Sequence, residues 1–214
     1  MLSNDPLKDA RKRLAQLSRR FGDEKIRRAA AMLDTPSDRL EAVIDGTAKG
    51  GKGRLEAFRV RFSQAGEPTK GGVRFADGAD MDEAERLALL MSLKCALLGL
   101  PFGGAKGAVR VDPSDLSDAQ RAEIAANYAR AFKDVIGPDS DVPAPDVATG
   151  PDEMAAMADA LGIEPGQGRA PVTGLPEDRG GLALRSGATG EGAWRVYRRV
   201  APDCRGVETP RIAI

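Results

Sequence analysis

Helical and strand-like hydrophobic patterns alternate along this chain of 214 residues. Steps of three and four between apolar residues predict amphipathic helices over 7–21 and 81–98, and a shorter helix over 23–33. Apolar and charged residues alternate over 58–62, which predicts a strand. This interleaving of helices and strands indicates an α/β fold.

The first strands are expected to form a hairpin. Strand-like residues 42–44 come before the turn-rich string GTAKGGKG, and the alternating segment 58–62 follows it. Residues 73–75 (VRF) predict a further short strand. The glycine-rich segment 100–107 is expected to be a loop that leads into a strand over 108–111.

The second half of the chain carries clear helix boundaries. Ser117 and Gln120 predict a capping box for a helix that Gly137 and Pro138 end. The string DVPAPDVATG is expected to be extended, because residues before proline avoid helical angles. Pro151 then opens a helix to Leu161.

The last fifty residues are less regular. Residues 164–187 are rich in glycine and proline and predict a linker, and a helix is expected from about 190 to 200. The final string, TPRIAI, has the pattern of a strand.

Composition excludes several classes of function. Lys+Arg and Asp+Glu both number 32, so the chain lacks the basic excess that nucleic-acid or membrane-surface partners require. The chain contains no histidine, which rules out Ser-His-Asp and Cys-His catalysis and histidine-ligated metal sites, and no metal site is expected. The two cysteines, Cys95 and Cys204, form no disulfide framework, and we expect a cytoplasmic protein.

Three lysines and one aspartate are the candidate functional residues. Lys70, Lys94 and Lys106 lie among apolar or glycine residues, and Asp146 follows Pro145 on the extended segment. A lysine in such surroundings needs an anion, or it loses its proton. Together they predict a site for an anionic substrate with acid–base chemistry.

Each of these residues also has an ordinary structural interpretation. Lys94 could lay its stem on the core and reach water, and Asp146 could simply form a turn. Lys70 and Lys106 could lie in ordinary turns, where KGG and AKG strings occur. The string GGAKG around Lys106 superficially suggests a phosphate loop, but it lacks the GxxxxGK[ST] spacing.

Four strings in order resemble one enzyme family. PTKGGVRF, LLMSLKCALLGLPFGGAKGAV, VDPSDLS and IGPDSDVPAPDVAT are similar to the N-terminal, substrate-binding domain of the glutamate/leucine/phenylalanine/valine dehydrogenases. The resemblance implies an α/β fold with a mixed sheet flanked by helices, plus the start of a truncated Rossmann domain. It divides the chain into a substrate-binding and oligomerisation domain over 1–163 and a linker, helix and first Rossmann strand over 164–214.

The resemblance also assigns roles to the site residues. Lys106 would be the catalytic lysine that activates water, and Asp146 would carry protons to and from the substrate amino group. Lys94 would bind the α-carboxylate, and Lys70 the side-chain carboxylate. The other substrate-binding residues would be Gly71, Gly72 and Met91.

The family reaction is oxidative deamination of an L-amino acid with NAD or NADP. A lysine at position 70 favours glutamate, because family members that act on leucine or phenylalanine resemble this region but carry an apolar residue there. Another L-amino acid (leucine, phenylalanine or valine) is the alternative. The implied partners are the amino-acid substrate and further copies of the chain in a hexamer, with no nucleic acid and no membrane.

The segment that would contact the cofactor, residues 180–192, matches the family less well. Arg185 and Thr189 match the family residues near the nicotinamide, whereas Leu182, Ala183 and Glu191 depart from the pattern. The family GxGxxG loop would begin after Ile214. We therefore expect a fragment of a longer enzyme; the alternative is a non-catalytic module that binds an amino acid or joins an oligomer.

Overall fold

The computed structural model describes residues 6–22, 24–48, 51–63, 66–162 and 170–200. The strands within these residues are β1 (Asp38–Ala48), β2 (Gly51–Phe62), β3 (Thr69–Ala76), β4 (Gly103–Arg110) and β5 (Asp141–Pro145). The helices are α1 (Pro6–Phe21), α2 (Glu24–Asp34), α3 (Met81–Leu97), α4 (Asp118–Ala131), α5 (Pro151–Ala160) and α6 (Arg185–Val200).

The five strands form one mixed sheet in the order β1-β2-β4-β3-β5. Antiparallel pairing joins β1 to β2, which confirms the predicted hairpin. Strand β2 also pairs antiparallel with β4. Strand β3 runs parallel to both of its neighbours, β4 and β5. The expected α/β fold with a mixed sheet and flanking helices is therefore confirmed; the expected terminal strand lies outside the described residues.

Helices cover the two faces of the sheet with separate apolar cores. On the first face, which we call the α4/α5 face, Val73, Phe75 and Val109 pack with residues of α4 and α5. On the second, the α3 face, Phe58 and Val60 pack with residues of α3. Because side chains alternate along a strand, even-numbered residues of β3 and β4 point to the α3 face.

A buried ion pair ties the strands together on the α4/α5 face. The Arg59 guanidinium donates to both carboxylate oxygens of Asp141, at 2.7 and 2.6 Å, and neither side chain has any exposed surface. The hydroxyl of Thr69 donates to the same carboxylate at 2.8 Å, and Arg59 also donates to the carbonyl of Gly71 at 3.2 Å. The pair thus links β2, β3 and β5.

The glycine-rich segments are strands, so the expected loop over 100–107 is wrong from residue 103 onwards. A Cβ at Gly103 would lie 2.1 Å from the carbonyl oxygen of Phe62, and one at Gly71 would lie 1.4 Å from that of Ala105. These glycines therefore permit close packing of neighbouring strands and do not mark turns. Lys70 and Lys106 consequently lie within strands.

One predicted capping signal is confirmed, whereas two helix boundaries differ from the prediction. The capping box is confirmed, since the backbone N–H of Gln120 donates to Ser117 Oγ and the Gln120 side chain accepts from the Ser117 N–H. Helix α4 ends at Ala131 and not near Gly137, and α6 starts at Arg185, about five residues before its expected start. Within the described ranges, no helix has the length and apolarity needed to cross a membrane.

Candidate active site

A close ion pair between Lys106 and Asp146 is the centre of the site. The distance from Lys106 Nζ to Asp146 Oδ1 is 2.6 Å. Lys106 lies in the middle of β4, opposite Val60 of β2, and its side chain is only 8% exposed. Asp146 directly follows β5, so two strands of the sheet bring the lysine and the carboxylate together.

Gly72 makes room for Asp146. A Cβ on Gly72 would lie 2.7 Å from Asp146 Cβ and 3.0 Å from the carbonyl oxygen of Pro145. The first distance is shorter than a normal carbon–carbon contact of about 3.5–4.0 Å, and the second is tighter than most contacts of a Cβ atom. The absence of a side chain at position 72 therefore lets the aspartate lie directly against β3.

A turn after β5 fixes the backbone of Asp146. Its N–H donates to the Thr149 hydroxyl at 2.8 Å, and that hydroxyl donates to the carbonyl of Val73 in β3 at 2.7 Å. Ala148 has a φ of 58°, a left-handed conformation that is uncommon for residues other than glycine. The extended segment predicted over 141–150 therefore stops at Asp146 and turns back to β3.

A second cation contacts the same carboxylate. Arg74 Nε donates to Asp146 Oδ2 at 2.8 Å, and Arg74 Nη1 donates to Glu83 Oε1, also at 2.8 Å. Arg74 lies on β3 two residues beyond Gly72, so its side chain points to the α3 face. Each carboxylate oxygen of Asp146 thus has its own cationic partner.

The surroundings shift the proton affinities of this pair. Burial lowers the pKa of Lys106, with Arg74 and Lys94 adding to that effect, and this outweighs the stabilising contact with Asp146. Burial raises the pKa of Asp146, but hydrogen bonds from Lys106 and Arg74 outweigh it, so that the pKa lies below its ordinary value. A lysine with a lowered pKa is a stronger candidate for a base near neutral pH.

Lys70 lies on the same face of the sheet, at the start of β3. Its ammonium donates to the hydroxyl of Thr173, whose own N–H donates to the carbonyl of Pro143 at 3.0 Å. Burial and the nearby charges of Arg185 and Arg59 lower the pKa of Lys70 to about 8. The group is therefore a cation at neutral pH that lacks a carboxylate in hydrogen-bond contact among the described residues.

Helix α3 forms the cover of the site. The hydroxyl of Ser92 accepts from the Gly104 N–H at 3.0 Å, and a Cβ on Gly104 would lie 2.2 Å from both Ala88 O and Ser92 N. The helix therefore rests directly on β4, two residues from Lys106. Met91, on the same helix, is half-buried.

Lys94 is exposed, so its expected position among buried apolar residues is wrong. The buried residues of α3 are Ala84, Glu85, Ala88, Leu89, Ser92 and Cys95. Lys94 lies beside Cys95, at the edge of this buried face. The ammonium is still near the site, because its charge contributes to the lowered pKa of Lys106.

The candidate cofactor residues lie on α6. Arg185 is the first residue of the helix and Thr189 lies one turn later, so the two share a face; both are exposed. The charge of Arg185 acts on Lys70, which links the start of α6 to the Lys70 end of the candidate site. In the part of the chain that the structure describes, no group of three or more Cys, Asp or Glu residues could hold a metal ion.

Sequence reasoning missed three residues that hold the site together: Arg74, Thr149 and Thr173. A detectable signal existed for Arg74, because Lys70, Gly72 and Arg74 alternate and would share one face of a strand that begins at Thr69. Thr149 contacts Asp146 three residues earlier, but its bond to Val73 and the contact of Thr173 with Lys70 join distant segments that no local pattern reveals.

Comparison with known proteins assigns the chain to a family. The model of the dimerisation domain of Glu/Leu/Phe/Val dehydrogenases matches residues 36–162. The chain belongs to this family. The match includes β1 to β5 and α3 to α5, and therefore Lys70, Lys106 and Asp146.

Individual relatives of this dehydrogenase-family chain are glutamate dehydrogenases. The chain is 43% identical over 146 residues to the NADP-specific glutamate dehydrogenase of Synechocystis, covering 68% of this chain and 34% of that protein. It is 34% identical over 203 residues to the glutamate dehydrogenase of Thermotoga maritima, covering 89% of this chain and 49% of that protein.

A solved structure is similar over nearly the whole chain. The hetero-hexameric glutamate dehydrogenase from Thermus thermophilus, in its leucine-bound form, superposes with a TM-score of 0.79 at 28% identity, covering 97% of this chain and 50% of that one. The chain thus spans about a third to a half of the length of these relatives.

Proposed function

We propose that this chain supplies the substrate-binding and proton-transfer residues of an enzyme that converts L-glutamate to 2-oxoglutarate and ammonia with a nicotinamide cofactor. The observation that carries the proposal is the 2.6 Å contact between the buried Lys106 and Asp146, with Lys70 on the same sheet face. This arrangement combines a proton-transfer pair with a cation for a second carboxylate. Glutamate dehydrogenase relatives support the same reaction.

Lys106 and Asp146 divide the proton transfers between them. Asp146 accepts a proton from the substrate amino group and later returns one to the departing ammonia. Lys106, whose pKa is lowered chiefly by burial, removes a proton from the water that attacks the imino carbon. The short distance between the two groups keeps the protons within the site.

Lys70 and Lys94 hold the two ends of glutamate. Lys94 binds the α-carboxylate, and Gly71, Gly72 and Met91 line the space beside the substrate. Lys70 binds the side-chain carboxylate, because a partly buried ammonium gains most from an anionic partner. A leucine or phenylalanine side chain would leave that ammonium unpaired, and we therefore expect glutamate to be preferred.

We propose that two residues of α6 contact one end of a nicotinamide cofactor. Arg185 and Thr189 are exposed on one face of α6, and the charge of Arg185 reaches Lys70. They would contact the nicotinamide end, which accepts a hydride from the substrate Cα when the cofactor is bound. NADP is the first candidate, since the Synechocystis relative is NADP-specific.

We further propose that the protein assembles with copies of itself into a hexamer in the cytoplasm. The matched family model is that of a dimerisation domain, and the Thermus relative is a hetero-hexamer. Sedimentation or light scattering of the purified protein tests this assembly.

Kinetics of the full-length protein test the proposed reaction. Wild-type protein is expected to produce 2-oxoglutarate from L-glutamate with NADP⁺ or NAD⁺, with lower kcat/KM for L-leucine and L-phenylalanine. Lys106→Ala is expected to lower kcat by about 10²–10⁴-fold, the usual contribution of a positioned acid or base. The matched control is Lys133→Ala at an exposed lysine, which should leave kcat unchanged. Undiminished turnover in Lys106→Ala would refute the assigned roles.

A further inference from the structure

The carboxylate of Asp146 is held from two sides by cations that differ in kind. Lys106, from β4, contacts Oδ1 at 2.6 Å, and Arg74, from β3, contacts Oδ2 at 2.8 Å. Arg74 in turn contacts Glu83, in the first turn of α3, at 2.8 Å. Glu83, Arg74, Asp146 and Lys106 thus form a row of alternating charges from α3 to β4.

The two cations restrain the carboxylate differently. A lysine ammonium is a flexible point charge, whereas the guanidinium is planar and presents its donors in fixed directions. Arg74 is anchored at both ends, by Asp146 on one side and Glu83 on the other, and its side chain is 18% exposed. It can therefore hold Oδ2 of Asp146 from a fixed direction, whereas Lys106 contacts only Oδ1.

We propose that Arg74 is a positioning residue for proton transfer: it holds Oδ2 of Asp146, so that Oδ1 stays directed at Lys106. The role rests on the proposed function, because it concerns the residue that carries the proton. Arg74 acts through Asp146 and is not required to touch the substrate. Glu83 supports it by holding the far end of the guanidinium.

Loss of Arg74 should also change the pH dependence of the reaction. The groups that face Asp146 are the Lys106 ammonium, the Arg74 guanidinium and the N–H of Val147, with Lys94 acting on Lys106 from α3. Without Arg74, the carboxylate keeps one cationic partner and binds its proton more tightly. The pKa of Lys106 rises as well, because Arg74 helps to lower it. Both changes move the acid-side limb of the pH profile of kcat/KM to higher pH.

The decisive comparison uses Arg74→Met, Arg74→Lys and Glu83→Gln in the full-length protein. We expect Arg74→Met to lower kcat by about 10–100-fold, the effect of misplacing a reacting group by about 1 Å, with KM for glutamate within about threefold of wild type. Arg74→Lys should recover part of kcat, because it restores the charge without the planar fork. Glu83→Gln should lower kcat by about two- to fivefold, as expected for the loss of one part-exposed ion pair.

Arg61→Met is the matched control. Arg61 is also a part-buried strand arginine with one carboxylate partner, Asp38 at 2.6 Å, but it points to the α4/α5 face. Wild-type pH dependence in this control, together with an upward shift in Arg74→Met, would support positioning. An Arg74→Met variant with wild-type kcat and a raised KM would overturn the proposal and make Arg74 a substrate ligand.

A titration of Asp146 that does not depend on enzyme turnover separates this proposal from the proposed function. In protein with ¹³C-labelled aspartate carboxyl groups, the Asp146 resonance should titrate at higher pH in Arg74→Met than in wild type or Arg61→Met. An unchanged titration would overturn the role of Arg74, whatever the enzyme turns over. Conversely, a shifted titration in a protein that does not oxidise glutamate would refute the proposed function and leave the Arg74–Asp146 coupling standing.

Discussion

Gly72→Ala is the substitution that most directly probes the geometry of the site. The backbone at Gly72 does not adopt a positive φ, so alanine fits the strand conformation. The new methyl group would meet Asp146 Cβ at 2.7 Å and Asp146 Cγ at 3.2 Å. A normal contact between carbon atoms is about 3.5–4.0 Å, so Asp146 must move by roughly 0.8–1.3 Å.

This displacement of Asp146 should lower the reaction rate strongly and the stability of the fold only modestly. It lengthens the 2.6 Å contact between Lys106 and Asp146 beyond hydrogen-bond distance, and a misplacement of about 1 Å costs roughly 10²-fold in rate. Overpacking costs about 1–3 kcal/mol, whereas replacing glycine by alanine in a strand regains about 0.5–1 kcal/mol. We therefore expect kcat to fall about 100-fold with a stability loss of roughly 0–2.5 kcal/mol.

Two other glycines provide controls. Gly53→Ala, also in a strand, has nothing within 4 Å of the new methyl group, so kcat should stay near wild type and stability should rise by about 0.5–1 kcal/mol. Gly71→Ala would place its methyl group 1.4 Å from a backbone oxygen and should prevent stable folding. Initial rates with L-glutamate and urea unfolding curves measure both properties. A Gly72→Ala protein that is folded and fully active would refute the steric argument.

Three further predictions concern other parts of the molecule. Because the pKa of Lys70 is about 8, its ammonium loses its proton above pH 8. The ratio of kcat/KM for L-glutamate to that for L-norvaline should therefore fall above pH 8, and a constant ratio up to pH 9.5 would contradict the assigned contact. Arg59→Met leaves the carboxylate of Asp141 buried without its cation and should lower the free energy of unfolding by about 3–5 kcal/mol in urea titrations, whereas a loss below about 1 kcal/mol would count against the buried pair. Ser117→Ala removes the cap of α4 and should cost about 1 kcal/mol by the same measurement, with Ser114→Ala as a control that stays near wild type.

Elements with local signals were predictable from the sequence. The β1–β2 hairpin follows from strand-like residues on both sides of a glycine-rich turn, and the start of α4 follows from Ser117 and Gln120 three residues apart. Both signals act between residues that are close in sequence. These predictions therefore do not depend on how the rest of the chain folds.

Elements with non-local causes were not predictable in the same way. Glycine pairs normally indicate turns, but Gly71 and Gly103 lie in strands because a neighbouring backbone oxygen occupies the space of a side chain. The buried face of α3 is likewise set by its contact with Gly104, which rotates Lys94 to the edge. The partners in both cases come from other strands or helices.

The candidate site shows the same difference between local signals and non-local contacts. The motifs identify Lys70, Lys106 and Asp146 as candidates, and the fold brings Lys106 and Asp146 into contact. No motif indicates that Arg74 takes the second oxygen of Asp146, since that contact joins residues 72 positions apart. Candidate residues can therefore be found from sequence, whereas the contacts that orient them require the fold.

The position of the glycines explains why the charged groups of the site lie where they do. At Gly104, α3 lies directly on β4, and at Gly72, Asp146 lies directly on β3; in each case a side chain would separate the two segments. This close packing removes water from around Lys106, and burial is the main cause of its lowered pKa. A larger residue at either position would both lengthen the contact with Asp146 and readmit water. The glycines beside the two strand lysines therefore contribute to the proton affinity of the site as well as to its shape.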